Sequence, residues 1–160
     1  MIERIGTLLV RNGIVSGETL DKALAWQRDQ QASAESRQRI GDCLIQKFGA
    51  PEEGVYKTLA GQFGMTFLVD IEDCVSRDSM NDVSFDAFKD AQCLPLSHDG
   101  TVLKAAVSDP LDIDAILRVE AATGLVVEAS ITPPSKMSAA RHKLFESSSL
   151  LKESMGKISR

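Results

Sequence analysis

The chain of 160 residues is short of nearly everything that carries catalysis or crosses a membrane. Its cysteines, Cys43, Cys74 and Cys93, are odd in number and show no C-x-x-C spacing. That argues against a disulfide framework or a zinc site and fits a reducing cytoplasm, with the thiols as small packing residues. No apolar run approaches the roughly 18 residues of a membrane span, so membrane contact is expected only through a partner. Met1-Ile2-Glu3-Arg4 leads straight into an amphipathic segment without a basic n-region, so no signal peptide is expected. No G-x-x-x-x-G-K-[ST] occurs, which removes the basis for nucleotide hydrolysis. The two histidines, His98 in a turn and His142 on a terminal helix, are thin material for acid–base work. The chain therefore reads as no enzyme, with no catalytic residue, no metal site and no cofactor.

Charge of one sign is also missing. Residues 1–69 hold 8 basic and 8 acidic side chains, whereas 70–90 hold seven acids against Arg77 and Lys89, and 136–160 hold six basic groups against Glu146 and Glu153. The overall charge of −5 leaves no stripe of Lys and Arg for long nucleic acid. A small anion held by one or two arginines remains compatible. The acids at 70–90 lack the spacing and glycine placement of an EF-hand and read as a solvated connector.

What is present is a soluble composition, 43% hydrophobic and 26% charged, enough for one ordinary core or two small ones. Glycines and caps divide it. A helix over about 4–12 stops at Asn12-Gly13, Ser16 caps a second carrying Leu20 and Leu24, a third over about 38–48 stops at Phe48-Gly49, and Pro51 opens a fourth that ends near Gln62. The polar stretch 28–38 reads as an exposed helical extension and a loop. Met65–Val69 is a short β-prone run, and one helix is expected near 84–90. Thr101–Val107 and Val126–Ile131 read as strands. Asp109 and Asp112 cap a helix ending at Gly124, and a final helix runs from Pro133 to about Phe145. The expected fold is α+β: a four-helix subdomain of two repeated helix pairs (1–69), an acidic connector (70–92), a small strand–helix–strand–helix α/β subdomain (93–146) and a flexible tail (147–160).

The first subdomain repeats itself at an offset of 35. Arg4, Ile5 and Gly6 fall on Arg39, Ile40 and Gly41; Leu9 and Val10 on Leu44 and Ile45; Leu20 on Val55; Leu24 on Leu59; Gln27 on Gln62. Packing explains repeated leucines. A repeated arginine, glycine and glutamine points further. Arginine offers a planar donor fork for phosphate or a guanine edge, glycine lets a ligand reach the free N–H groups of a helix start, and glutamine supplies a donor and an acceptor. The alternative is a duplicated helix pair in which Arg caps carbonyls and Gln faces water. Trp26, beside Gln27, reads as a partly buried face residue before a stacking platform.

The run Arg4-Ile5-Gly6-x-x-Leu9-Val10-x-x-Gly13-Ile14-Val15-x4-Leu20-x3-Leu24-x-x-Gln27 resembles the 24-residue motif of MshEN domains, the N-terminal domains of type II secretion and type IV pilus assembly ATPases. Leu94-Pro95-Leu96, Asp109-Pro110-Leu111-Asp112 and Thr123-Gly124 resemble the second half of that region, so the likeness covers about 3–146. The second motif copy departs from the pattern at Phe48, with glycine one residue later, and the spacer 28–38 is long. The resemblance implies a regulatory, signalling, nucleotide-binding domain for cyclic di-GMP, with one motif on each half of the dinucleotide. Arg4, Ile5, Gly6, Leu9, Val10, Leu24 and Gln27 would line one half-site, and Arg39, Ile40, Gly41, Leu44, Ile45, Leu59 and Gln62 the other. The implied partner is an ATPase or glycosyltransferase module in cis or trans. The rival reading is a nucleotide-independent docking adaptor between a secretion ATPase and its membrane platform.

Overall fold

A computed structural model describes residues 3–31, 38–71, 88 and 93–144. The expected helix near 84–90, most of the acidic connector and the tail lie outside the described residues. The chain divides into two units, 1–67 and 68–160.

The first unit is built from α1 (Ile5–Arg11), α2 (Gly17–Gln31), α3 (Ile40–Phe48) and α4 (Glu52–Gln62). Arg4 and Arg39 occupy the same station, each the extended residue just before its helix, with φ/ψ of −68/143 and −69/150. The duplication is thus structural down to the backbone angles at both arginines. It slips where the sequence does. Gly13 follows α1 with φ +71, whereas α3 runs two residues longer and its left-handed glycine, Gly49 at φ +69, arrives at an offset of 36. The loop to α4 is correspondingly shorter, and the 35-residue register returns at the start of that helix. Leu9 and Leu44, both fully buried, bring the two turns to the same closure: Leu9 O accepts Ile14 N–H at 2.9 Å and Leu44 O accepts Ala50 N–H at 3.0 Å.

Within each copy the motif glycine seats the next helix. A Cβ on Gly6 would stand 2.9 Å from Leu20 Cδ1, and one on Gly41 would stand 3.2 Å from Val55 Cγ1, the residue equivalent to Leu20. Between copies the packing is heavier. The chief partner of α1 is α4, and that of α2 is α3. The four helices therefore form two cross-copy pairs rather than two independent hairpins.

The second unit holds strands β1 (Cys93–His98), β2 (Val102–Val107) and β3 (Val126–Ile131), with α5 (Ile113–Thr123) and α6 (134–144). The strand order is β1-β2-β3; β1 is antiparallel to β2, and β2 is parallel to β3 across the α5 crossover. This adds a strand to the two expected. Pro95 hides β1 from a propensity reading, since it donates no ladder hydrogen bond. It is tolerated because β1 is an edge strand whose register shifts between Pro95 and Ser97. The Met65–Val69 run, by contrast, forms no strand; Phe67 makes an isolated bridge, and Leu68 N–H donates to Ile131 O at 2.8 Å. In the β1–β2 turn, Asp99 Oδ1 accepts the N–H groups of Thr101 and Val102, both at 2.8 Å, which holds its carboxyl below the ordinary value of 3.8. Asp112 accepts Ala115 N–H at 3.2 Å to cap α5, and Gly124, left-handed at φ +72, ends it. Ile71, Leu94, Leu96 and Ala106 form the core with Met137, Ala140 and Leu144, spaced along one face of α6.

Candidate functional site

Glutamines close each helix pair crosswise. Gln27, at the end of the first motif, donates Nε2–H to the carbonyl of Gln38, the residue before Arg39, at 2.8 Å. Gln62, at the end of the second, donates to the carbonyl of Glu3, the residue before Arg4, at 2.7 Å. Gln38 and Glu3 are themselves 35 apart, so the two bonds are duplicates. Each polar end of one motif is held against the arginine-bearing start of the other: Arg4 lies beside Gln62, and Arg39 beside Gln27. With one Nε2–H engaged on the backbone, each amide retains its second N–H and its carbonyl oxygen as groups to meet a ligand.

Among the expected site residues, Arg4 and Arg39 are exposed, as is Leu24 at 37%. Ile5, Val10, Gln27, Ile40, Gly41, Ile45, Leu59 and Gln62 are half-buried, while Gly6, Leu9 and Leu44 are buried. Leu9 and Leu44 thus belong to the core of the unit, and the half-buried aliphatics are those with surface left to offer a ligand. The guanidinium groups are donors only, so the first-turn N–H groups of α1 and α3 receive no side-chain cap from Arg4 or Arg39. The two starts differ in charge: α3 carries Asp42 in its first turn where α1 has Thr7, and Asp42 Oδ1 accepts the Tyr56 hydroxyl at 3.0 Å. Burial, with Asp42 beside it, pushes the Tyr56 hydroxyl well above its ordinary range.

A groove of about 640 Å³ runs between α1 and α4, lined by Leu8, Arg11, Asn12, Lys57, Thr58 and Gln62, with Ile14, Gly54 and Gly61. Its size is that of a small-molecule site. Of the expected site residues it contains Gln62 alone. The others in its lining occupy, apart from Ile14, motif positions with no fixed residue, and nothing in the sequence marks them. In the second unit a hollow of about 550 Å³ is lined by Asp109, Asp112, Met137, Arg141 and His142 among others. Among the described residues no group of three or more His, Cys, Asp or Glu is placed to hold a metal ion, and no helix is long and apolar enough to cross a membrane.

A family model described as the MshEN domain matches residues 63–149. The chain belongs to the MshEN domain family. The matched stretch begins just after Gln62, so it carries the second unit and not the two repeats. The solved structure of MshE with cdg (cyclic di-GMP) is similar at a TM-score of 0.69 and 26% identity, covering 88% of this MshEN chain and 98% of that one; it extends the likeness into the repeats. The N-terminal domain of XpsE shares the fold at a TM-score of 0.58 and 20% identity, covering 88% and 96% of the two chains. The type IV pilus assembly ATPase PilB of Thermus thermophilus is 29% identical over 118 residues. That stretch is 72% of this chain but 12% of the relative, so the domain spans a small part of that ATPase's length.

Proposed function

We propose that this MshEN domain is a non-catalytic cytoplasmic receptor for cyclic di-GMP that passes the signal to an attached or partner secretion, pilus or polysaccharide machine. The observation that carries this is the crosswise pair of glutamine ties: two equivalent arginines, each at a helix start and each beside the other copy's glutamine, suit a ligand made of two equivalent halves. The likeness to MshE in a structure with that dinucleotide supports the ligand. The half-sites are then composite, Arg4 with Gln62 and Arg39 with Gln27, and not one motif each. Each arginine supplies charge-assisted hydrogen bonds to a phosphate, and Ile5, Val10, Ile40 and Ile45 supply apolar surface for ribose and base. Ligand bridging two cross-copy helix pairs favours the state in which both are docked, and that differential affinity is the signal. Calorimetric titration of the chain with cyclic di-GMP tests the reading; absence of heat and of thermal stabilisation at saturating ligand rejects it.

A second reading, a nucleotide-independent docking adaptor for a secretion ATPase, is favoured by one observation. Leu111, Ile113 and Leu117, at and within α5, and Val126 on β3 are all more than half exposed. Four large apolar side chains left open on a small unit suit a protein surface. Partner binding unaffected by cyclic di-GMP, in a chain that fails to bind the nucleotide, selects this reading.

A further inference from the structure

The two cross-copy helix pairs are built to one plan, yet the residues at equivalent places differ. On the α1–α4 side the groove is open, and its wall includes Asn12 and Gly61. At an offset of 35 these residues become Lys47 and Trp26. On the α2–α3 side that pair closes on itself, with Lys47 Nζ 5.4 Å from the centre of the Trp26 ring. A third duplicate pair separates the sides. Lys22 of α2 is engaged with Glu18 at 2.8 Å one turn away, whereas Lys57 of α4, with Glu53 at the same spacing, makes no such bond and lines the open groove.

The chemistry of the open groove is one-sided. Its polar lining consists of Arg11, Lys57, Asn12, Thr58 and Gln62, with no carboxylate among the lining residues. Arg11 is already bridged to Glu3 at 2.9 Å, which leaves Lys57 as the lining cation uncommitted to a protein partner among the described residues. Leu8 and Ile14 add apolar wall, and a Cβ on Gly61 would meet nothing within 4 Å, so the space beside it is open. Thr58 spends its hydroxyl on Gly54 O and Asn12 spends one N–H on Thr58 Oγ1, so the donors left are the Lys57 ammonium and the remaining N–H groups of Arg11, Asn12 and Gln62. Beside an apolar wall they fit an anionic ester with a planar body, a nucleoside phosphate. Gln62 lines the groove and is bonded to the carbonyl of Glu3, the residue before Arg4. At the other half, Asp42 stands in the first turn after Arg39, where it opposes an anion.

We propose that the α1–α4 groove adds a further phosphate-holding arm to the Arg4 half of the site, with Lys57 as a ligand-binding residue, and that its duplicate between α2 and α3 is closed by Trp26 and Lys47. The domain then holds its ligand asymmetrically despite a symmetric motif. This rests on the reading of the repeats as a cyclic dinucleotide site. The test is calorimetric titration of the full chain with cyclic di-GMP, and separately with guanosine 5′-monophosphate as the half-ligand. Both are run on the unaltered chain, Lys57→Gln, Lys22→Gln and Gly61→Trp, with thermal melts confirming folding. The expected result is an affinity loss of about tenfold for Lys57→Gln, less than twofold for its duplicate Lys22→Gln, and near-complete loss for Gly61→Trp, which fills the open groove as Trp26 fills the other. Binding of cyclic di-GMP that is indifferent to Lys57→Gln and Gly61→Trp overturns the inference and leaves the receptor reading standing. Failure of cyclic di-GMP to bind, with guanosine 5′-monophosphate held in a Lys57-dependent way, overturns the receptor reading and keeps the groove. Failure of both ligands overturns both.

Discussion

Gln27 and Gln62 join the repeat's sequence to its geometry. Each spends one amide N–H on a backbone carbonyl across the copy boundary, so each has a structural role beside the binding role proposed for it, and truncation to alanine removes both. Gln27→Ala and Gln62→Ala are expected to lower the stability of the first unit by about 1 kcal/mol apiece, the net worth of one hydrogen bond. Urea titration checks this, and near-equal losses are the signature of duplicate bonds. Gly49, at φ +69, is the other exacting residue. Gly49→Ala puts a Cβ into the left-handed region and should cost about 1–2 kcal/mol, read in the same titration. That Gly49 takes over the role of Gly13 one residue late was legible from Phe48-Gly49. The crosswise direction of the glutamine bonds was not, because a repeated motif reads identically whether its copies close on themselves or on each other.

Among the elements, those with chemical punctuation were readable and those without were not. The first four helices are punctuated by glycine, Ser16 and Pro51, and each occurs close to its expected span. Likewise α5 is announced by Asp109-Pro110-Leu111-Asp112 and ended by Gly124. Asp112→Ala removes the bond to Ala115 N–H and should cost about 1 kcal/mol, measured as a lower urea midpoint for the second unit. By contrast β1 was invisible as a strand because Pro95 contradicts a ladder, and only its edge position resolves the conflict. Met65–Val69 had strand propensity, but among the described residues it makes only the Phe67 bridge and the Leu68 bond to Ile131 O. The α1–α4 groove was equally hidden: its Lys57 and Asn12 sit at motif positions where any residue is allowed, and their value comes from the helix each one faces.

At the scale of the whole molecule, the question the sequence poses is what a duplicated polar constellation is for. Each of the two units buries a thiol, Cys43 in the first and Cys93 in the second. Burial pushes Cys93 up to about 12 from its ordinary 9.0, and it raises Cys43 as well despite the nearby Lys47. Well below pH 9 these thiols are protonated whether the chain is folded or not, so the folded state keeps its full margin. Above pH 9 the unfolded thiols ionise first, and stability falls as pH rises toward 12, by up to about 1.4 kcal/mol per pH unit for Cys93. Urea midpoints taken between pH 8 and 11 should show this decline, and Cys93→Ala should make it shallower.

The central claim is that two composite half-sites share one ligand. Its most direct measurement is the calorimetric affinity for cyclic di-GMP of the unaltered chain beside Arg4→Ala, Arg39→Ala and Arg28→Ala. Arg28 is an exposed arginine of α2 that reaches the carbonyl of its own Leu24, at 3.4 Å. Loss of either half-site arginine should weaken binding by about 2 kcal/mol, on the order of thirtyfold, and loss of Arg28 by less than twofold. Equal losses at all three arginines, or no binding by the unaltered chain, would contradict it.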